Sequence, residues 1–330
     1  MANDMLPPQR IGFVGLGNMG APMARCLAAA GYRLSVADAI PAAVERFRAG
    51  TACEAPASLA ELGATCRAII TMLPDGHAVK KVLLGEQGVV AGIPASAVPG
   101  SAVTAAREVI LIDMTSASPV GTRELAAELA LKGITLLDAP VSGGVGRAVE
   151  GKLAIMAGGQ PEALSRCRPL LEKMGQVFAT GGSGSGHAMK ALNNFLSAVA
   201  LAAAGEAVLA GERFGLDPGL MIRIFNASTG RNTATEHKYP KFILPRTFDS
   251  GFALGLMAKD LRLALELARD SGTPADILGT CVDLWGSAEQ RMGGRADNTD
   301  IVRYLESRAA PAQSPGHSPE RAGARGSQDG

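Results

Sequence analysis

The stretch IGFVGLGNMG, residues 11–20, passes from a short apolar run straight into three glycines at GxGxxG spacing, Gly15, Gly17 and Gly20. Residues 11–14 have the look of a strand and residues 21–30 of a helix, so the glycines fall at a strand-to-helix turn. In that setting each glycine has its own task. Gly15 permits the tight turn, Gly17 lets the backbone approach a pyrophosphate, and Gly20 lets the helix pack on the strand. The amides at the helix start then face an anion, with Leu16, Asn18 and Met19 completing the candidate contact loop. The motif alone is weak in a chain with 41 glycines, and a plain glycine turn is its bland alternative. An acid at the end of the next strand, Asp38, lies about 20 residues on, as a dinucleotide site requires. Asp38 can accept from both hydroxyls of an adenosine ribose. A 2′-phosphate would meet like charge there, and Ala39, Ile40 and Pro41 bring no arginine. NAD is therefore expected in preference to NADP. The bland reading of Asp38 is an ordinary turn carboxylate.

Outward from this turn, strand-like runs at 34–37, 68–72, 109–113, 135–137 and 154–157 alternate with helical patterns at 41–49 and 120–132. Such alternation implies parallel strands joined by crossover helices, a doubly wound α/β sheet. The run at 154–157 is expected to be the last strand. From Gly186 onward the pattern is helical: about 187–214, then 218–226, 257–271 and 275–292. The first of these should bridge the two halves. Residues 1–9 are expected as a flexible N-terminus, 10–180 as the dinucleotide-binding domain and 181–306 as an all-helical substrate and oligomerisation domain. Residues 307–330, rich in Pro, Gly and Ser, are expected as a disordered tail.

Composition excludes several classes. The formal net charge is +1 and only 4% of residues are aromatic, so neither nucleic acid nor an anionic membrane is an expected partner. Cys26, Cys53, Cys66, Cys167 and Cys281 are scattered and odd in number, and the histidines at 77, 187, 237 and 317 lie far apart. No disulfide framework and no metal site is indicated, and a cytoplasmic location is expected. The N-terminal residues lack the apolar run of a signal peptide. The apolar stretch 192–210 is broken by Gly205 and Glu206 and reads as a buried helix.

Three clusters can carry chemistry. Asp138-Ala-Pro-Val-Ser142-Gly143-Gly144 follows a strand, and Ser142 with two bare amides can hold a carboxylate, although a simple strand-to-loop turn has the same look. In GSGHAMKALNN, residues 184–194, Lys190, Asn193 and Asn194 share one helix face among apolar neighbours. Burying a lysine there is costly without a purpose. Desolvation lowers its pKa and suits it to proton transfer; its bland alternative is a solvated lysine. His187 has no visible carboxylate partner and is read as structural. In the third cluster, Lys259-Asp260-Leu261, the lysine can reach cofactor or substrate. Asp260 is read as a helix-start acid favoured by the dipole.

Taken together, GFVGLGNMGAPMA, ITMLP (70–74), DMTSASP (113–119), DAPVSGG (138–144), GSGHAMKALNN (184–194) and KDL (259–261) resemble the β-hydroxyacid dehydrogenases, which include 3-hydroxyisobutyrate dehydrogenase and tartronate semialdehyde reductase. The resemblance covers about residues 10 to 306 with every motif in order. It implies a Rossmann-type domain, a helical domain, and an active site in the cleft between them. By that resemblance Lys190 is the catalytic lysine and Asn194 an amide that orients substrate, with Asn193 beside it. Ser142, Gly143 and Gly144 form the carboxylate loop. Leu73, Pro74, Ser116 and Lys259 contact cofactor, and Phe252 is a pocket wall. The loop through Gly230, Arg231 and Asn232 resembles the Ser-Gly-Arg loop of hydroxyisobutyrate enzymes, with Arg231 on the substrate side. It lacks the aromatic residue that often follows, which leaves the substrate's side group open.

The expected activity is hydride transfer between NAD(P) and a small 3-hydroxycarboxylate, in a homodimer or homotetramer. Reduction of tartronate semialdehyde or a related aldehyde acid is an alternative, as is a non-catalytic dinucleotide-binding module of the same fold. A decarboxylase of the 6-phosphogluconate type needs a larger helical domain. An imine reductase typically lacks the lysine at 190.

Overall fold

The computed structural model describes residues 5–94 and 109–309. The sheet-forming half runs β1 (Arg10–Val14), α1 (Gly20–Ala29), β2 (Arg33–Ala37), α2 (Pro41–Arg48), α3 (Leu59–Thr65), β3 (Ala68–Thr71) and α4 (Gly76–Leu84). It continues through β4 (Ile110–Asp113), α5 (Pro119–Ala130), β5 (Thr135–Asp138), β6 (Val141–Ser142), α6 (Gly144–Val149), β7 (Leu153–Gly158), α7 (Pro161–Leu171) and β8 (Gly175–Gly181). The helical half comprises α8 (Ser185–Phe214), α9 (Pro218–Ala227), a π-wound segment (Ala234–Ile243), α10 (Leu254–Asp270), α11 (Asp276–Met292) and α12 (Ile301–Arg308).

The strands form one sheet in the order β2-β1-β3-β4-β5-β7-β6, with β8 added on β7. Strands β1 to β5 are mutually parallel, as the strand–helix alternation requires. Their central members, β3 and β4, are buried at every residue, which is why they read as unbroken apolar runs. The sheet is not parallel throughout, since β7 pairs antiparallel with both β5 and β6. Nor is 154–157 the last strand, because β8 follows and pairs parallel with β7. Only Val177 of β8 is buried, so this edge strand offers no apolar run to read.

The segment expected to be a loose N-terminus is tied down from Met5 onward. The Met5 side chain is fully buried, its carbonyl accepts from the Tyr32 hydroxyl at 2.6 Å, and its amide donates to the Arg166 carbonyl at 3.0 Å. At the other end, Ser307 and Arg308 finish α12, and the Ser307 hydroxyl donates to the Tyr304 carbonyl at 2.7 Å. The rest of the expected tail, from residue 310, lies outside the described residues, as do residues 1–4.

Apolar cores lie on the two faces of the sheet, around Phe13, Ile70 and Ile112 on one and Ile69, Leu83 and Leu111 on the other. A separate core fills the helical half around Leu201, Leu261 and Trp285. Helix α8 belongs to both halves. It packs on β7, β8 and α5 near its start and on α9, α10 and α12 along its length. It is long and apolar enough to cross a membrane, but these contacts make it a core helix. Its burial is one-sided, with Met189, Leu192 and Leu196 exposed.

The start of α8 is fixed by the sheet. Asp138, at the carboxyl end of β5 and fully buried, accepts from the Gly184 amide at 2.8 Å and from the His187 amide at 3.0 Å. An anion at a helix N-terminus satisfies donors that the helix itself cannot. Gly184 adopts φ +83° to make the entry, and a side chain there would run against the Pro119 carbonyl. Asp138→Ala strands both amides in a dry site, and hydrogen bonds to a charged group contribute about 1.5–3 kcal/mol each. The expected outcome is a loss of about 3 kcal/mol or more in urea unfolding; a loss below about 1 kcal/mol would show that the cap is dispensable.

Candidate active site

The three glycines of the turn separate by space as well as by spacing. Gly15 lies at φ +100°, where a Cβ would collide with the Met72 carbonyl oxygen. A Cβ on Gly20 would collide with the carbonyl oxygen of Gly15. Around Gly17 nothing lies within 4 Å of that position, so only this glycine faces open space. The first turn of α1 carries no acidic residue and no side-chain cap, so no side chain of that turn competes with an anion for the positive end of the helix. Leu16 is buried, Met19 half-buried, and Gly17 and Asn18 exposed. Asp38 is drawn to this loop, accepting from the Leu16 amide at 2.6 Å and the Ile40 amide at 2.8 Å. A carboxylate has about four acceptor positions, so Asp38 retains capacity for ribose hydroxyls. These features fit a dinucleotide.

Two more loops at the carboxyl edge of the sheet are joined to each other and to the helical half. The Leu73 amide donates to Thr115 Oγ1 at 3.0 Å. From α10, Lys259 Nζ reaches across to the carbonyls of Pro74 at 3.0 Å and Ser116 at 2.6 Å. A cavity of about 720 Å³ opens here, lined by Ser116, Thr122 and Lys259 among others; neither Lys190 nor the glycine loop lines it.

Lys190 and Asn194 are both buried on one face of α8. Burial pushes the Lys190 ammonium below its ordinary pKa of 10.5, the Asp260 carboxylate pulls it back up, and the Lys259 charge lowers it further. Asn194 Nδ2 donates to Asp260 Oδ2 at 2.6 Å, and the Ser116 hydroxyl lies 3.4 Å from the same oxygen. Asn193 Nδ2 donates to Asn194 Oδ1 at 3.2 Å. At the carboxylate loop, Gly143 and Gly144 take φ +135° and +70°, and both are exposed at the start of the short helix α6 with Ser142 half-buried behind them. Phe252 packs on the helical core, and its carbonyl accepts from the Asn298 amide at 2.8 Å. Arg231 is exposed and its partner is Glu236, at 3.7 Å.

Two residues were misread from the sequence. Asp260 is not a helix-start acid, because α10 begins at Leu254 and places it well inside. It is buried and is the shared acceptor of Asn194 and Ser116. His187 is not without a carboxylate nearby, since its Nε2 lies 3.8 Å from Asp113 Oδ2. Asp260 had one available signal: it is an acid inside an apolar helical run. The partners of His187 are 65 and 72 residues away, so no local pattern could expose them.

Residues 10–182 match the family model described as the NAD binding domain of 6-phosphogluconate dehydrogenase, and residues 184–305 that of the NAD-binding part of NADP-dependent 3-hydroxyisobutyrate dehydrogenase. The chain is 38% identical over 277 residues to the 3-hydroxyisobutyrate dehydrogenase of Pseudomonas aeruginosa, covering 81% of this chain and 89% of that one. The chain belongs to the β-hydroxyacid dehydrogenase family. As a β-hydroxyacid dehydrogenase it is an NAD(P)-dependent oxidoreductase of small 3-hydroxyacids. It is also 33% identical over 300 residues to the 2-hydroxy-3-oxopropionate reductase of Escherichia coli, covering 90% of this chain and 97% of that one. Among solved structures, the 3-hydroxyisobutyrate dehydrogenase of Mycobacterium tuberculosis with L-serine has a TM-score of 0.79 at 32% identity, covering 92% of this chain and 100% of that one.

The glycine geometry separates binding from folding. Gly17→Ala should leave the melting temperature of the cofactor-free protein unchanged while raising the dissociation constant for NAD by about tenfold or more, since the methyl occupies the space a pyrophosphate needs. Gly20→Ala should instead lower the melting temperature. Thermal scans with nucleotide titration check both, and equal destabilisation by the two variants would contradict the assignment.

Proposed function

We propose that this β-hydroxyacid dehydrogenase acts on a 3-hydroxycarboxylate of the 3-hydroxyisobutyrate type, prefers NAD to NADP, and uses Lys190 as its acid/base group. The observation that carries this reading is Lys190 itself: a lysine buried on α8, its pKa lowered by that burial, one turn from the buried amide of Asn194. Burial favours the neutral form of the amine, which is the form that can take a proton.

In the oxidative direction Ser142 and the amides of Gly143 and Gly144 hold the substrate carboxylate. Lys190 Nζ takes the hydroxyl proton, and Asn194, held by Asp260, positions the same oxygen. When bound, the nicotinamide supplies the hydride acceptor. Lys259, on α10, adds positive charge that favours the neutral form of Lys190. Phe252 would form a wall of the substrate pocket. Arg231, exposed and paired with Glu236, would have to turn inward to touch a substrate.

The same residues serve the reverse reaction, with the Lys190 ammonium protonating an aldehyde oxygen. The near full-length match to the Escherichia coli 2-hydroxy-3-oxopropionate reductase favours an aldehyde acid as the second reading. The exposed apolar stripe of Met189, Leu192 and Leu196 supports a homodimer or homotetramer. The scattered, odd set of five cysteines, with no pair at close spacing, supports a cytoplasmic site of action.

Cofactor choice rests on Asp38. The ratio of kcat/KM for NAD over NADP should exceed unity, and Asp38→Ala combined with Ala39→Arg should move it towards NADP; a native preference for NADP would refute this part. Lys190→Ala should lower kcat by about 10²–10⁴-fold with NAD binding nearly unchanged. The wild-type oxidation rate should rise with pH through a pKa below 10.5, because a depressed lysine pKa makes the neutral base available at lower pH. That limb should vanish in Lys190→Ala. Near wild-type turnover in the variant would show that the lysine is not the base.

A further inference from the structure

His187 is buried to 1% exposure one turn before Lys190, on the same side of α8. Its ring spans two elements of the other half. Nε2 lies 2.8 Å from the Thr115 carbonyl and Nδ1 lies 2.8 Å from the Thr122 hydroxyl on α5. The carbonyl can only accept, so Nε2 carries the proton. In the neutral ring Nδ1 then accepts from the Thr122 hydroxyl. The hydroxyl also stands 2.8 Å from the Ser118 carbonyl. That carbonyl already receives the Thr122 amide at 2.9 Å, so it stays partnered when the hydroxyl turns to the ring.

The contacts on either side of the ring give this arrangement its reach. The Thr115 residue that His187 holds by its carbonyl is the one whose hydroxyl accepts from the Leu73 amide. The next residue, Ser116, is held by Lys259 and faces Asp260. On the helix side the His187 amide is anchored on Asp138. An unbroken path of hydrogen bonds therefore runs from the β3–α4 loop, through Thr115 and His187, to the turn of α8 that precedes Lys190.

We propose that His187 is a positioning residue for hydride transfer: it sets the register between the cofactor loops at Leu73 and Ser116 and the face of α8 that carries Lys190. The inference rests on Lys190 being the acid/base group. A displacement of about 1 Å between reacting groups can cost on the order of a hundredfold in rate, which is the scale on which a lost register would show.

The test is a cycle of His187→Leu and Lys190→Ala, read with NAD and 3-hydroxyisobutyrate as the probe substrate. In the wild-type background His187→Leu should lower kcat by roughly tenfold or more, with the dissociation constant for NADH within about threefold and the KM for the acid nearly unchanged. The deuterium isotope effect on kcat should rise as hydride transfer becomes limiting. In the Lys190→Ala background the same change should cost less than about twofold, because the group it positions is gone. His187→Gln, whose amide can still donate to Thr115 and accept from Thr122, should recover kcat to within about threefold. Equal losses of kcat in both backgrounds, or a variant whose cofactor affinity falls as far as its turnover, would overturn the proposal. So would a Gln variant no better than Leu. Near wild-type turnover in Lys190→Ala alone would refute the reading of the lysine, and is seen without reference to position 187. If His187→Leu does not fold, the Gln variant carries the decision: a normal isotope effect and kcat support the proposal, and a loss as large as that of Lys190→Ala overturns it.

Discussion

Two buried carboxylates stand side by side at the carboxyl edge of the sheet, Asp113 ending β4 and Asp138 ending β5, in direct register. A buried charge is tolerated only when its oxygens are hydrogen-bonded, and meeting that demand organises the molecule. Asp113 takes the Thr71 hydroxyl at 2.9 Å and the Thr115 amide at 3.0 Å, which draws the loops after β3 and β4 together. Asp138 takes the first amides of α8 and so determines where the helical half departs from the sheet. These two acids thus set where the loops of the sheet edge and the start of α8 meet.

Between α8 and α10, charge is arranged around one more acid. Asp260 sits in contact with Asn194 and Ser116, with Lys259 Nζ at 3.6 Å from its other oxygen and Lys190 within its electrostatic reach. Burial favours the neutral form of Lys190, whereas the Asp260 carboxylate favours the charged form. The net direction is downward, with burial the larger influence.

Much of this was written locally in the sequence. The glycine turn, the apolar strands β1 to β5 and the end of α8 at Gly215 follow from spacing, because each depends on neighbours within a few residues. The start of α8, expected after Gly186, lies instead at Ser185 behind Gly184. The face shared by Lys190 and Asn194 follows from helix periodicity. The strand β8 was hidden because an edge strand with one buried side needs no apolar run. Asp260 and His187 were misjudged because their partners come from distant segments. The buried Met5, too, depends on Tyr32 and Arg166, which adjacent residues do not announce. The Arg231 loop was placed by likeness to relatives, and here its arginine faces solvent beside Glu236.

Helix α8 is one unbroken element of 30 residues, capped at both ends by left-handed glycines. At 1.5 Å per residue it is about 45 Å long, with Lys190 and Asn194 near one end and most of its length clasped by α9, α10 and α12. Its first turns rest on the sheet and the remainder lies in the helical core, so one rod spans both halves. Lys190 is therefore positioned from two sides, by the sheet that anchors the first turn of the helix and by the core around Leu201 and Val208 further along it. One stiff element thus gives the two halves a single shared frame.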